Sequence, residues 1–134
     1  MNRYQLTIAL SLLALTTPLH AADEMKVQQA GGIAYVSGGI SEEARDSLQA
    51  LAREFNVKLV LATKSGAFLS DVAVSVDDAT GKRVLEAKSD GPWFFAKLPP
   101  GRYQVDAAVN GKALKKPVTV NAQGMSTVDF RWDD

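Results

Sequence analysis

Two hydrophobic periods divide the chain. Ala44, Leu48, Leu51, Ala52 and Phe55 recur at helical spacing, while Asp46, Gln49 and Arg53 lie off that stripe. This spacing predicts an amphipathic helix over residues 42–54. Ser41 precedes it as a candidate N-cap, and Glu42 and Glu43 fill the first turn, where the helix dipole favours negative charge. A reciprocal capping box needs Glu or Gln at position 44; Ala44 stands there, so the cap is single. Asn56 reads as a left-handed stop.

Around the helix the period is that of strands. A short β run spans 32–36, between a polar, loose lead-in at 22–29 and the glycines Gly38 and Gly39. After the helix, residues 57–63 form an apolar run with Lys58 as its only charge, which predicts a strand covered on both faces, with the helix over one of them. Val72, Val74 and Val76 alternate in a second strand. Residues 83–88 and 93–98 supply two more, each bounded by turn signals. Over 102–109, Tyr103, Val105, Ala107 and Val109 share one face and Arg102, Gln104 and Asp106 the other. Asn110-Gly111 is a type I′ hairpin signal, since both central residues of that turn need positive φ. The returning strand, 113–120, carries Pro117, which places it at a sheet edge. Val128, Phe130 and Trp132 alternate in the last. Seven short strands at spacings of about eight to twelve residues predict a β-sandwich or small barrel.

Composition adds a compartment. Arg3 is followed by an apolar run over 6–15 and by small residues at Ala21 and Ala22, the order of a secretory signal peptide. That run is shorter than the roughly 20 residues a membrane-crossing helix needs. Cleavage after Ala21 is expected, giving a periplasmic or secreted protein. Lys plus Arg and Asp plus Glu both number 15. Removing 1–21 takes away Arg3 and no acid, leaving 14 against 15 and a net charge of −1. Such a balance carries no footprint for nucleic acid. The Lys112, Lys115 and Lys116 cluster reads as a solvated face or edge guard. The sequence contains no cysteine and its only histidine is His20. Thiol chemistry, thiolate metal sites and histidine catalysis therefore fall away for the mature chain, and neither a cofactor nor a metal is expected.

The stretch from Ser89 to Val105 organises the rest. Asp90-Gly91-Pro92 and Pro99-Pro100-Gly101 bracket the aromatic run Trp93-Phe94-Phe95, and Tyr103 follows the second turn. With Val72, Val74 and Val76, the turn at 78–81 and the Leu98-Pro99-Pro100-Gly101-Arg102-Tyr103 signature, this region resembles the carboxypeptidase regulatory-like domains, which belong with the transthyretin-like β-sandwiches. The resemblance covers roughly 57–132. It implies a mainly β fold, a seven-stranded Greek-key transthyretin-like sandwich, here preceded by a short strand and one amphipathic helix. The expected organisation is a signal peptide at 1–21, a β-α lead-in at 22–56 and the carboxypeptidase regulatory-like sandwich at 57–134. It also implies a non-catalytic role, as a folding aid, spacer or binding module; with the missing catalytic groups, the leading expectation is a module that binds a protein or envelope component. One transthyretin-like branch hydrolyses hydroxyisourate with histidines, an arginine and a Tyr-Arg-Gly-Ser tail; this sequence ends Phe130-Arg131-Trp132-Asp133-Asp134 and is not expected to share that activity.

Two site hypotheses remain beside the partner-binding one. Alternation sends Phe94, Ala96 and Leu98 to one side of their strand and Trp93, Phe95 and Lys97 to the other. If the first set enters the core, then Trp93 and Phe95, with Lys97 beside them, either form an exposed platform for a sugar ring or are covered by the helix. The apolar stripe of Leu48, Leu51 and Phe55 needs a surface to cover, which favours burial. A hydrolase built on Asp71, Asp106 or Lys97 would need one of them in a deep pocket. Asp77 and Asp78 are adjacent and read as turn residues bonding local amides.

Overall fold

Alternating side chains separate a strand's two faces, and the architecture follows from giving each apolar face something to cover. The computed structural model describes residues 26–134; the expected signal peptide and its cleavage site lie outside them. Among the described residues there are nine strands and one α-helix: β1 (Gln28–Ala30), β2 (Ile33–Gly38), α1 (Glu42–Leu51), β3 (Val57–Thr63), β4 (Val72–Asp78), β5 (Arg83–Ser89), β6 (Trp93–Ala96), β7 (Gly101–Val109), β8 (Lys112–Val120) and β9 (Ser126–Trp132). They form a mainly β, two-sheet sandwich. One sheet has the order β1-β2-β6-β3-β9, the other β5-β4-β7-β8. All pairings are antiparallel except β3 with β9.

The core lies between the sheets. Val57, Leu59, Leu61, Phe94 and Phe130 meet Val74, Val76, Leu85 and Val105 there, all buried. Each such side chain contributes about 1.5–3 kcal/mol on burial. A second, smaller cluster forms on the outer face of the first sheet, where Leu48 of α1 and Phe55 pack on Val36 and Phe95. Ser41 caps α1 through its hydroxyl, which accepts from the Ala44 N–H at 3.0 Å, and Glu42 and Glu43 sit in the first turn. The expected helix ends in a tighter 3₁₀ turn over Ala52–Glu54.

Three expectations change. Residues 28–30 are a strand, not a loose lead-in: Gly31 and Gly32, both at positive φ, turn β1 back onto β2. The segment before residue 57 is also not an addition in front of a sandwich, because β2 pairs with β6 inside the first sheet. And Asn56 has no left-handed backbone. Its side chain instead brackets Leu98, accepting from the Leu98 N–H at 2.9 Å and donating to the Leu98 carbonyl at 2.8 Å. The helix covers β2 and β6 more than β3, whose outer face carries half-buried Lys58 and Val60 beside buried Ala62.

The Asn110-Gly111 hairpin and the Pro117 edge readings hold. Asn110 and Gly111 have φ of 52° and 78°, as a type I′ turn requires. Strand β8 with Pro117 is an edge. Its outward side is stitched to β9 by side chains: the Ser126 hydroxyl donates to the Thr119 carbonyl, Lys116 Nζ to the Asp129 carbonyl and the Trp132 indole to the Lys112 carbonyl. Two carbonyls of the edge strand, those of Lys112 and Thr119, are thereby occupied.

Candidate functional site

Strand direction decides where loops gather. The C-terminal end of β6 and the N-terminal ends of β2, β3 and β9 fall in one row, with Ala96 beside Tyr35 and Val57, and Val57 beside Ser126. The Pro99-Pro100 turn leads from that row directly into β7. At this end the 3₁₀ turn, the close of β6 and the loop before β9 surround a cleft of about 650 Å³. A recess of about 400 Å³ continues from it, sharing Asn56, Lys97 and Ala122 and running to Ile33 and Pro99. A third, of about 440 Å³, shares Ile33 and Pro99 and reaches Tyr103. The cleft and the recess, with three wall residues in common, form the groove of this end; the third lies beside them.

The main cleft is built from local rules already visible. Arg53 stands off the apolar stripe of the helical segment and lines the cleft, whereas Phe55 on the stripe turns inward against Phe95. Lys58 emerges from the outer face of β3 between Phe95 of β6 and Thr127 of β9. Its ammonium lies 3.7 Å from the Trp93 ring centre and 5.7 Å from that of Phe95, and partial burial lowers its pKa. Both contacts offer a negative ring face to a cation. Lys97 follows β6; its N–H donates to the Ala34 carbonyl, which fixes the backbone, and its side chain is exposed on the cleft wall. Met125, 37 % exposed, adds an adaptable apolar wall from the loop before β9. Among the described residues Glu54 is the single acidic one of this cleft. Among the described residues no ion pair holds Arg53, Lys58 or Lys97.

The residues singled out from the sequence fare differently. Phe94, Ala96 and Leu98 enter the core, and Trp93 and Phe95 face the other way. Phe95 is only 1 % exposed beneath α1, so it presents no platform. Trp93 is half-buried, edge-on to Phe95 with 6.3 Å between ring centres, and lies at the opposite end of β6 from Lys97. Trp93, Phe95 and Lys97 therefore do not form one exposed surface. Asp71, Asp106 and Lys97 are not brought together either. Asp71 precedes β4, 3.9 Å from Lys88; Asp106 is on β7 opposite β8, 3.7 Å from Lys115; Lys97 lines the groove. Asp78 caps its own turn, accepting from the Thr80 hydroxyl, the Thr80 N–H and the Lys82 N–H, and these bonds hold its carboxyl below the usual range. Asp77 departs from the turn reading: it is a residue of β4, and its carboxylate pairs with the Arg83 guanidinium at 3.0 Å instead of bonding local amides.

Arg53, Lys58, Asn56 and Met125 were not marked by the sequence as site residues. The available signals were a charge inside an apolar strand at Lys58 and a cation beside the stripe at Arg53, both of which also describe ordinary surface positions. A scan against protein-family models finds no match for this chain, and a search of curated proteins finds none either.

Proposed function

We propose that this protein is an exported, non-catalytic β-sandwich module that binds a protein or other envelope component in the groove at the Pro99-Pro100 end. The observation that carries this reading is the cleft itself: three cations against one carboxylate, over an apolar floor, on a rigid two-sheet frame. Binding sites combine an apolar surface with a few placed polar groups in this way. The resemblance of residues 57–132 to the carboxypeptidase regulatory-like, transthyretin-like domains supports a binding role, as does the lack of cysteine and of any histidine beyond His20. The leader-like residues 1–21 support a periplasmic or secreted location. A glycan reading is less favoured, because it needs Trp93 or Phe95 exposed, and Phe95 is covered while Trp93 is half-buried with the Lys58 ammonium over its ring.

Site-specific photocrosslinking tests the reading. A crosslinking amino acid placed at Met125 of the full chain, expressed in its own cell, is expected to trap a discrete envelope partner. The same group at exposed Lys88, beyond the groove, is expected to trap none. Adducts of equal yield at both positions, or none at position 125, would overturn the assignment.

A further inference from the structure

Resting on that binding reading, we infer that the groove takes an extended acidic peptide segment of a partner protein, with alternating carboxylate and apolar side chains. Charge selects the sign of the ligand. Arg53, Lys58 and Lys97 come from three separate elements, the helical turn, β3 and the end of β6, and all line the same cleft. Among the described residues only Glu54 opposes them in this cleft. The chain as a whole is balanced at 15 cationic and 15 acidic residues, so this excess is local. Arginine adds a planar fork suited to bidentate carboxylate contact, while the two lysines act as point charges.

The apolar surface selects the rest of the ligand. Met125 in the cationic cleft and Pro99 in the recess that continues from it are the exposed apolar walls, with Phe55, Ile33 and Leu98 buried behind them. A ligand that satisfies both needs charge and hydrocarbon within a few ångströms of each other, at more than one place along its length. An extended peptide does this through side chains that alternate. An acidic polysaccharide supplies the carboxylates but no hydrocarbon side chains between them, and an aromatic face on which its rings could stack is not open. Phe95 is buried, and the Trp93 ring carries the Lys58 ammonium 3.7 Å from its centre.

The test is a titration of the isotope-labelled full chain with a capped seven-residue peptide alternating glutamate and leucine, followed by amide NMR. Shifts confined to residues 32–34, 49–58, 95–98 and 122–127 are expected, weakening as salt rises. A glutamine-for-glutamate peptide is expected to bind about tenfold more weakly or worse. Arg53→Glu with Lys97→Glu is expected to abolish the shifts. Both residues are exposed, so the fold should persist, and circular dichroism checks that it does. Met125→Ala provides a second variant, expected to weaken binding without altering its salt dependence. Shifts equal for the neutral and acidic peptides, shifts unaffected by both variants, or binding of an oligouronate but not the peptide would overturn the peptide assignment. A crosslinked partner at position 125 with no peptide shifts would overturn this inference and leave the binding reading standing. No shifts and no crosslink would overturn both.

Discussion

Asn56 and Leu98 are joined as a strand residue is joined to its neighbour, but by a side chain. The Asn56 amide oxygen accepts from the Leu98 N–H at 2.9 Å and its NH₂ donates to the Leu98 carbonyl at 2.8 Å. Strand β6 ends at Ala96, and this pair carries its hydrogen bonding two residues further, into the turn that shapes the groove. Asn56→Ala leaves both groups of a buried residue without these partners. The expected loss is about 1–3 kcal/mol in urea unfolding. Asn56→Asp keeps the acceptor but faces the Leu98 carbonyl with a carboxylate oxygen, so it should not restore wild-type stability.

Gly91 is required for space. A Cβ there would lie 2.4 Å from the Gly38 carbonyl oxygen, a backbone atom held in β2. Buried Ser89 fixes the same corner by donating its hydroxyl to the Gly91 carbonyl at 2.6 Å. Gly91→Ala must push two backbone segments apart, at an expected cost of about 1–3 kcal/mol or more. Gly81→Ala is the informative comparison. Its Cβ would meet open space at φ +88°, so its cost is that of the dihedral alone, about 1–2 kcal/mol. Thermal melts of the two variants should separate a collision from a torsional penalty, with Gly91→Ala also displacing Ser37 and Asp90 amide signals.

What the sequence disclosed is what local periodicity encodes. Val72, Val74 and Val76 announce a strand face, and Ser41 with Glu42 and Glu43 announces a helix start, because those signals act within a few residues. The aromatic run was legible for the same reason: alternation separates Phe94 from Phe95, and an apolar helix stripe needs the face Phe95 occupies. Strand β1 was missed because Gln28, Gln29 and Ala30 carry little apolar signal at an exposed edge. Asn56 was misread because its partner lies 42 residues away. The groove is likewise a product of topology, since nothing in the spacing of Arg53, Lys58, Lys97 and Met125 says that four separate elements end side by side.

Trp93 and Trp132 should report different environments. Trp132 is 4 % exposed, stacked on Phe130 and donating its indole N–H to the Lys112 carbonyl at 3.0 Å. Trp93 is half-buried with a cation over its ring. Acrylamide should quench the Trp132→Phe variant, in which Trp93 remains, more effectively than the Trp93→Phe variant. Lys58→Met should raise the Trp93 quenching constant or shift its emission while leaving Trp132 unchanged. Equal quenching of the two single-tryptophan proteins would contradict the burial described.

Asp78 gives the turn between β4 and β5 an acid-sensitive cap. The Thr80 hydroxyl is the strongest cause of its lowered pKa, followed by the Lys82 backbone N–H. A carboxyl whose folded pKa is depressed contributes stability that is fully present above its unfolded value of about 3.9. That contribution is lost as pH falls through the lower, folded value. Asp78→Asn removes the charge at every pH, so the difference in stability between wild type and variant should be constant near neutrality and close progressively below about pH 4. Thr80→Val, which deletes the strongest of these bonds, should bring the Asp78 titration back toward the ordinary carboxylate range. Carboxyl-detected NMR of Asp78 reads that shift directly, and an unchanged titration in Thr80→Val would show that the hydroxyl does not hold the cap.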